Sequence, residues 1–433
     1  LRSVTLTAKD KICLCETREC TPEACPYANG YYARIKGALW DVLDVPCLTA
    51  ETLQEYAERH MVCPFELGLD SSLWSDVIIG DYNYLFDPVV HLVRFFESAG
   101  DYIFLVDEAH NLPGRAREMH SAALTKTSFY EAKKLLGKGK SSLKNALTKV
   151  NDVFIEWRHR AEEETAARDG RFGKTFFLKE RSEEFDHLLN RLCEPLEAWL
   201  DDHREPDETH TALLQLYFDV RAWLRVADTF DDHFVLQITA SGSEVRAAQL
   251  CLDPSAFLAD SFALGRAAVL FSATLAPASY YKDLCGVPEA RAVALRSPFP
   301  AGNQGLFCIG NVSTRYKDRD ASLAIVEESL ATMVRARCGN YLAFFPSYAY
   351  MEQAYAQFKE HCPEINCIKQ ENAMDEQQKA AFLAQFVPGP SQPLLGFAVM
   401  GGIFGEGVDL VGDRLIGCAI VGVGLPQVSP RQE

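Results

Sequence analysis

An α/β fold with two parallel-sheet domains is predicted for this chain. A cysteine-rich segment opens the chain, and a long helical insertion separates its first strands from the later ones. Three observations carry the prediction. Short, continuous apolar runs recur at 77–79, 102–106, 267–275, 341–345, 394–400 and 415–423, as expected of strands covered on both faces. Between 115 and 230 the charges become dense and apolar residues recur at helical spacing instead. Cysteines crowd the first 63 residues, at positions 13, 15, 20, 25, 47 and 63 of a chain that holds 14.

The elements follow in order. Residues 1–66 are cysteine-rich with short helical stretches such as 51–60. "DVIIGDYNYLF" supplies a short strand at 77–79 and then a polar turn, and "YIFLV" at 102–106 a second strand of a parallel sheet. Phe185, Leu188, Leu189, Leu192, Leu196, Trp199 and Leu200 mark one helix, with a kink expected at Pro195. Leu213, Leu216, Tyr217, Val220 and Leu224 mark the next. The insertion is read as all-helical and as a separate domain over 115–235. Strands return at "AAVLFSATL", and "RSPFPAGNQG" at 296–305 reads as a linker. The runs at 341–345, 394–400 and 415–423, with a helix over 347–360, form a second α/β unit.

Length and composition bound the function. A chain of 433 residues is expected to form two or three domains. No apolar run approaches the ~20 residues that cross a bilayer, and "LRSVTLTAKDK" has no apolar leader, so a cytoplasmic protein without a membrane partner is expected. The net charge of −17 argues against non-specific coating of nucleic acid, but a local basic groove is compatible with it. In such a compartment the cysteines are expected to be reduced thiols, the scattered ones acting as small hydrophobes. Cys47 is read as one of these core residues.

The chemistry concentrates in three stretches. "VDEAH" ends an apolar strand in Asp107 and Glu108, with His110 two residues on. Adjacent carboxylates at a strand end suit nucleoside triphosphate hydrolysis, where one carboxylate lies near Mg²⁺ and the next orients water. Ligands of open α/β sheets gather at the carboxyl ends of strands. A solvated strand end or a helix cap by Asp107 is the bland alternative. "FSATLAP" offers the hydroxyls of Ser272 and Thr274 after another strand, or else a polar turn. "GGIFGEGVDLVGDRL" combines Gly401, Gly402, Gly405 and Gly407, which permit close backbone approach, with Glu406 and Asp409. "LLGKGKSS" has only the tail of a phosphate-binding loop: position 134 is Lys where glycine is needed, and no strand precedes it. It reads as a solvated basic turn.

In this order and spacing the stretches resemble the Rad3/XPD/DinG family, the iron–sulfur DNA helicases of superfamily 2. "VDEAH" matches motif II, "SATL" motif III, "YLAFFPSY" motif IV and "GEGVD" motif V, and "DYNYLFDP" is similar to the segment ahead of motif II. The resemblance spans nearly the whole chain. It implies two RecA-like motor domains, the first interrupted by an Fe–S cluster domain and an all-α arch. The expected boundaries are 1–66 for the cluster domain with the end of a motor segment, and 67–114 for motor domain 1. The arch follows over 115–235, the return of motor domain 1 over 236–300, and a truncated motor domain 2 over 301–433.

The resemblance also implies residue roles. Cys13, Cys20, Cys25 and Cys63, spaced C-x6-C-x4-C-x37-C, would hold a [4Fe–4S] cluster, for which thiolates are the standard ligands. Structural zinc sites more often show a tight cysteine pair at both ends. Cys15 could replace Cys13, although "KIC" matches the family's first ligand. Asp107 would hold Mg²⁺, Glu108 would activate water, and His110, Ser272 and Thr274 would couple ATP hydrolysis to movement. Glu406, Gly407 and Asp409 would face nucleotide or strand, and Ser347 and Tyr348 the DNA backbone. Single-stranded DNA, forks and other branched DNA are the implied partners, a monomer the implied state, and 5′→3′ the implied polarity.

The chain lacks a Walker A lysine, and "SPRQE", with Arg431, lacks the arginine pattern of motif VI. It begins with Leu and ends soon after an apolar run. A fragment of a longer ATPase is therefore expected, inactive or nearly so by itself, because γ-phosphate binding and transition-state stabilisation would be weakened. Two rivals stand beside this reading. A DEAH-type RNA helicase would lack the four-cysteine domain. A nucleic-acid-binding scaffold derived from such a helicase would lack the nucleotide cradle throughout.

Overall fold

The computed structural model describes residues 1–138, 141–167, 173–205, 207–405 and 407–424. The chain divides into two units, Leu1–Ala294 and Leu295–Glu433.

The first unit opens with β1 (Ser3–Thr5), α1 (Tyr31–Val42), β2 (Cys47–Leu48), α2 (Ala50–His60), α3 (Pro64–Ser71) and β3 (Val77–Ile79). The strands form a parallel sheet in the order β2-β1-β3. The helices bury Ile35, Leu53 and Leu67 in one cluster with Val4 and Leu48. Thr49 caps α2 by accepting from the Thr52 N–H at 3.3 Å. Pro64 opens α3, where its missing N–H is harmless. Cys47 is exposed at the start of β2, not a core residue: the two-residue strand buries only its neighbour Leu48. Cys308, Cys338 and Cys418 are exposed too, whereas Cys193, Cys251, Cys285 and Cys362 are the small buried residues expected.

Next come β4 (Ile103–Val106) and α4 (Leu112–Met119), and then the insertion. It contains β5 (Ala122–Thr125), α5 (Lys126–Leu135), α6 (Ser142–Ala167), β6 (Lys174–Leu178), α7 (Glu183–Asp202), α8 (Glu208–Thr229), β7 (Phe234–Ser241) and β8 (Glu244–Cys251). The expectation of an all-helical insertion is corrected here. An antiparallel sheet in the order β5-β8-β7-β6 backs the helices, and it takes residues 236–251 of the expected return segment. The cause is local. Phe234, Leu236, Ile238 and Ala240 alternate inward, and Gly242, at φ +60°, lets a two-residue turn start β8. The helices α7 and α8 fall where the periodicity puts them, and α7 continues through Pro195.

After α9 (Ser255–Ala263), β9 (Ala267–Leu270) pairs parallel with β4, Val106 opposite Leu270. Thus β3 and β4, both read as strands of a parallel sheet, lie in separate sheets. Val77, Ile78 and Ile79 of β3, Ile103 and Leu105 of β4, and Val269 of β9 are all exposed, although parallel sheets are normally covered on both faces.

The second unit holds α10 (Arg319–Ala336), β10 (Asn340–Phe345), α11 (Tyr348–His361), β11 (Asn366–Lys369), α12 (Glu376–Ala384), β12 (Leu394–Val399) and β13 (Gly417–Ile420). Its sheet is wholly parallel, in the order β11-β12-β10-β13, and every residue of β12 is buried. Asn340, fully buried, donates its side-chain amide to the carbonyls of Val387 at 2.7 Å and Arg414 at 3.1 Å. The proline-rich stretch at 296–305 is irregular apart from one turn at Ala301–Asn303, and it falls just after the division between the units.

Candidate functional site

The β4–β9 register builds the first constellation. Val106 and Leu270 face each other at the carboxyl ends of two parallel strands, so Asp107-Glu108 and Phe271-Ser272 leave the sheet side by side. The Ala109 N–H donates to the Phe271 carbonyl at 3.1 Å and fixes the two turns together. Ser272 Oγ donates to Glu108 Oε2 at 3.2 Å. His110 Nδ1 lies 2.8 Å from Ser272 Oγ. A hydroxyl has one proton, so with that proton on Glu108 the His110 Nδ1–H is the donor to Ser272. Thr274 adds its backbone N–H to Ser272 Oγ at 3.2 Å and its own hydroxyl at 3.4 Å. Asp107, Glu108, His110, Ser272 and Thr274 are therefore one site.

Backbone geometry singles out Glu108. Its φ of 46° is left-handed, uncommon outside glycine and concentrated at functional sites. Asp107 Oδ1 accepts from the Glu108 N–H at 2.7 Å. The Tyr82 hydroxyl shares its single proton between the Asp107 and Glu108 carbonyls. Burial first, then the charges of Asp107 and Glu108, push the Tyr82 phenol up, which keeps it a donor at neutral pH. Tyr82 is a site residue that sequence reasoning missed; its only signal was its place in "DYNYLFDP". Asp107 and Glu108 face open solvent, leaving their outer side free for a metal or a water.

The cysteines form the second site. Cys13, Cys20, Cys25 and Cys63 all line one cavity of about 220 Å³, and Cys15 lines it with them. Cys15 Sγ lies 3.9 Å from Cys25 Sγ. Cys63 is the residue just ahead of α3, where burial raises its thiol while the Phe65 and Glu66 N–H groups and Lys9 act the other way. Arg34 holds the frame. Its guanidinium donates to the Met61 carbonyl at 2.9 Å and the Pro26 carbonyl at 3.1 Å, tying the Cys25 turn to the Cys63 turn.

In the second unit, β10 and β12 end in register at Phe345 and Val399, which brings Ser347, Tyr348 and the loop from Gly401 to one sheet edge. Ser347 accepts from the Tyr350 N–H at 3.4 Å and caps α11. Buried Gln370 joins the two motifs: it donates to the Tyr348 hydroxyl at 2.7 Å and accepts from the Val399 N–H at 3.0 Å. Gly407, at φ +66°, and Asp409 are exposed beyond this edge. Glu406, Arg431 and Lys140 lie outside the described residues.

Comparison with known proteins gives two family matches. The DEAD_2 model matches residues 2–129 and the Helicase C-terminal domain model residues 330–433. ATP-dependent DNA helicase CHL1 of Coccidioides immitis is 21% identical over 429 residues, 87% of this chain and 49% of that protein. The General transcription and DNA repair factor IIH helicase subunit XPD of Schizosaccharomyces pombe is 24% identical over 466 residues, 87% of this chain and 58% of that protein. The chain thus spans 49% and 58% of the lengths of these two relatives. A solved structure described as "XPD_Helicase" covers 100% of this chain and 73% of its own at a TM-score of 0.54 and 18% identity, a likeness of fold.

Proposed function

Because the chain belongs to the Rad3/XPD family of superfamily 2 helicases, we propose that it carries motor, wedge and gate segments of an ATP-dependent DNA helicase acting in DNA repair or recombination. The observation that carries the reading is the register of β4 and β9, which joins Glu108, His110 and Ser272 in one hydrogen-bonded set. A bound Mg²⁺, held by Asp107, would supply charge neutralisation at the phosphates. Glu108 is the residue that orients and deprotonates the attacking water. Ser272 shares its proton with Glu108 and accepts from His110, so any change at Glu108 reaches the turn after β9. That is the proposed route from hydrolysis to movement, with Thr274 holding Ser272 in place. Glu406, Gly407 and Asp409 would meet nucleotide or strand from the second unit.

The donor set of the cysteine cavity suits a [4Fe–4S] cluster held by Cys13, Cys20, Cys25 and Cys63. The lone fourth cysteine of the C-x6-C-x4-C-x37-C spacing departs from structural zinc sites, which usually pair cysteines tightly at both ends. The thiols line, together with Lys9, Tyr27 and other side chains, a cavity of about 220 Å³. Cys15 is the spare thiol. Single-stranded and branched DNA are the proposed partners, 5′→3′ the proposed polarity, monomer and cytoplasm the proposed state and place.

The test is DNA-stimulated ATP hydrolysis and strand separation by the whole protein, purified without oxygen. Glu108→Gln is expected to lower hydrolysis about 100-fold or more. Cys63→Ser is expected to remove iron and acid-labile sulfide. Hydrolysis by Glu108→Gln within a few-fold of the unaltered protein overturns the role of Glu108. Colourless, metal-free protein that still unwinds duplex overturns the cluster.

A further inference from the structure

The chain is strongly acidic, at −17, yet residues 126–149 hold seven lysines and one carboxylate, Glu131. The helix α5 sorts them. Phe129 and Ala132 are buried against the insertion's core. Lys126, Tyr130, Lys133 and Lys134 recur at i, i+4, i+7 and i+8, with Tyr130 and Lys134 exposed and Lys126 and Lys133 half-buried, and exposed Lys138 follows the helix end. Tyr130 is 57% exposed between these ammonium groups. Elsewhere lysines find carboxylates: Lys9 with Glu66, Lys174 with Glu162, Lys369 with Glu352. Among the described residues no carboxylate pairs with Lys133, Lys134 or Lys138. The neighbouring acid, Glu244 on β8, is already engaged by Thr127, and Lys126 is committed to the Ser243 carbonyl.

An exposed aromatic ring between unpaired cations is the arrangement that holds single-stranded nucleic acid, since a splayed base stacks on the ring while the cations follow the phosphates. A duplex offers no free base face to such a ring. We propose that the Tyr130–Lys133–Lys134–Lys138 face of α5 is a contact for single-stranded DNA. The proposal rests on the helicase reading and adds a located surface on the insertion to it. Three phosphates neutralised there make the affinity depend on salt, because each releases condensed counterions.

The test is fluorescence anisotropy of a labelled oligothymidylate titrated with the 433-residue chain over a salt series. The variants are a triple change (Lys133→Gln, Lys134→Gln, Lys138→Gln), its Arg counterpart, Tyr130→Ala and Tyr130→Phe. All are checked for an unchanged melting temperature. The Gln triple is expected to bind about tenfold or more weakly at low salt, with a log–log salt slope reduced by about 2, from roughly 0.7 per phosphate. Tyr130→Ala is expected to weaken binding roughly 5- to 150-fold, the range of one lost base stack. Tyr130→Phe and the Arg triple are expected to bind like the unaltered chain.

Unchanged affinity and slope in the Gln triple overturn the proposal. So does a loss of polyglutamate binding with DNA binding intact, which assigns the face to an acidic polypeptide. An unaltered chain that does not hold the oligonucleotide overturns the surface, whatever the ATPase assay gives. A whole protein without ATPase activity, in a chain that still binds through this face, overturns the helicase reading and leaves the surface standing.

Discussion

Asp186, on α7, is 6% exposed and accepts from Trp223 Nε1 at 2.8 Å, while its Oδ2 has no partner. Burial pushes its carboxyl above the ordinary value, against the pull of the Trp223 hydrogen bond and Arg181. Between the ordinary carboxylate pKa and the raised one, the folded protein binds more protons than the unfolded chain. Stability therefore falls as pH rises through that window, and the loss persists at neutral pH. Asp186→Asn keeps an acceptor for Trp223 and removes the ionisation. It is expected to raise the melting temperature at pH 7.5 and to change it less at pH 4, by thermal denaturation at both. Asp186→Ala leaves the indole N–H unpaired and is expected to cost about 1–3 kcal/mol. At this scale the sequence is legible where chemistry and spacing coincide. Asp107, Glu108, Ser272 and the four cysteines each stand in a recognisable local pattern. Tyr82 and Arg34 do not, because their hydroxyl and guanidinium reach backbone carbonyls 25 to 27 positions away, and a carbonyl carries no residue identity. Cys47 was misjudged because residue type says nothing of a strand's end.

Among elements, α7 contains the clearest internal conflict. Pro195 sits inside a 20-residue helix, where it has no N–H for the carbonyl of Arg191 and its ring crowds that turn. Pro195→Ala is expected to stabilise the protein by about 1–3 kcal/mol, bounded by the intrinsic helix penalty of proline, and to raise the midpoint of urea unfolding. A lowered midpoint would show that the ring packs too well to lose. The helices of the insertion were legible from a 3.6-residue period, but its sheet was not. In "FVLQITAS" the inward set Phe234, Leu236, Ile238 and Ala240 alternates cleanly, yet the strand follows directly on a long helical stretch that masks the change of period. β6 has five residues and buries only Phe176, and β1 and β2 are too short to have a period at all. The parallel strands β10 and β12 announced themselves because burial on both faces leaves an unbroken apolar run.

Across the whole molecule, the division between the two units coincides with a stretch that exposes Leu295, Phe299, Leu306 and Phe307. Exposed backbone without secondary structure is where proteases cut. Limited chymotrypsin treatment is expected to cleave first after Phe307, because Pro300 protects the bond after Phe299, and to release the rest of the second unit, identified by mass spectrometry; first cuts within the insertion would contradict this. The two-unit plan was legible because proline, glycine and the return of apolar runs fall together at 296–305. The split of the first sheet was not, since nothing in a strand's own residues names its neighbour. That split bears on how the chain comes together in time. Ser272 meets Glu108 across 164 positions of sequence, and the whole insertion is synthesised between them. The half-finished polypeptide must therefore hold β4 without its partner strand until β9 has been synthesised, so the Glu108–Ser272 contact closes only after the insertion has emerged, and a nascent chain stalled before Ala267 should depend most on chaperones.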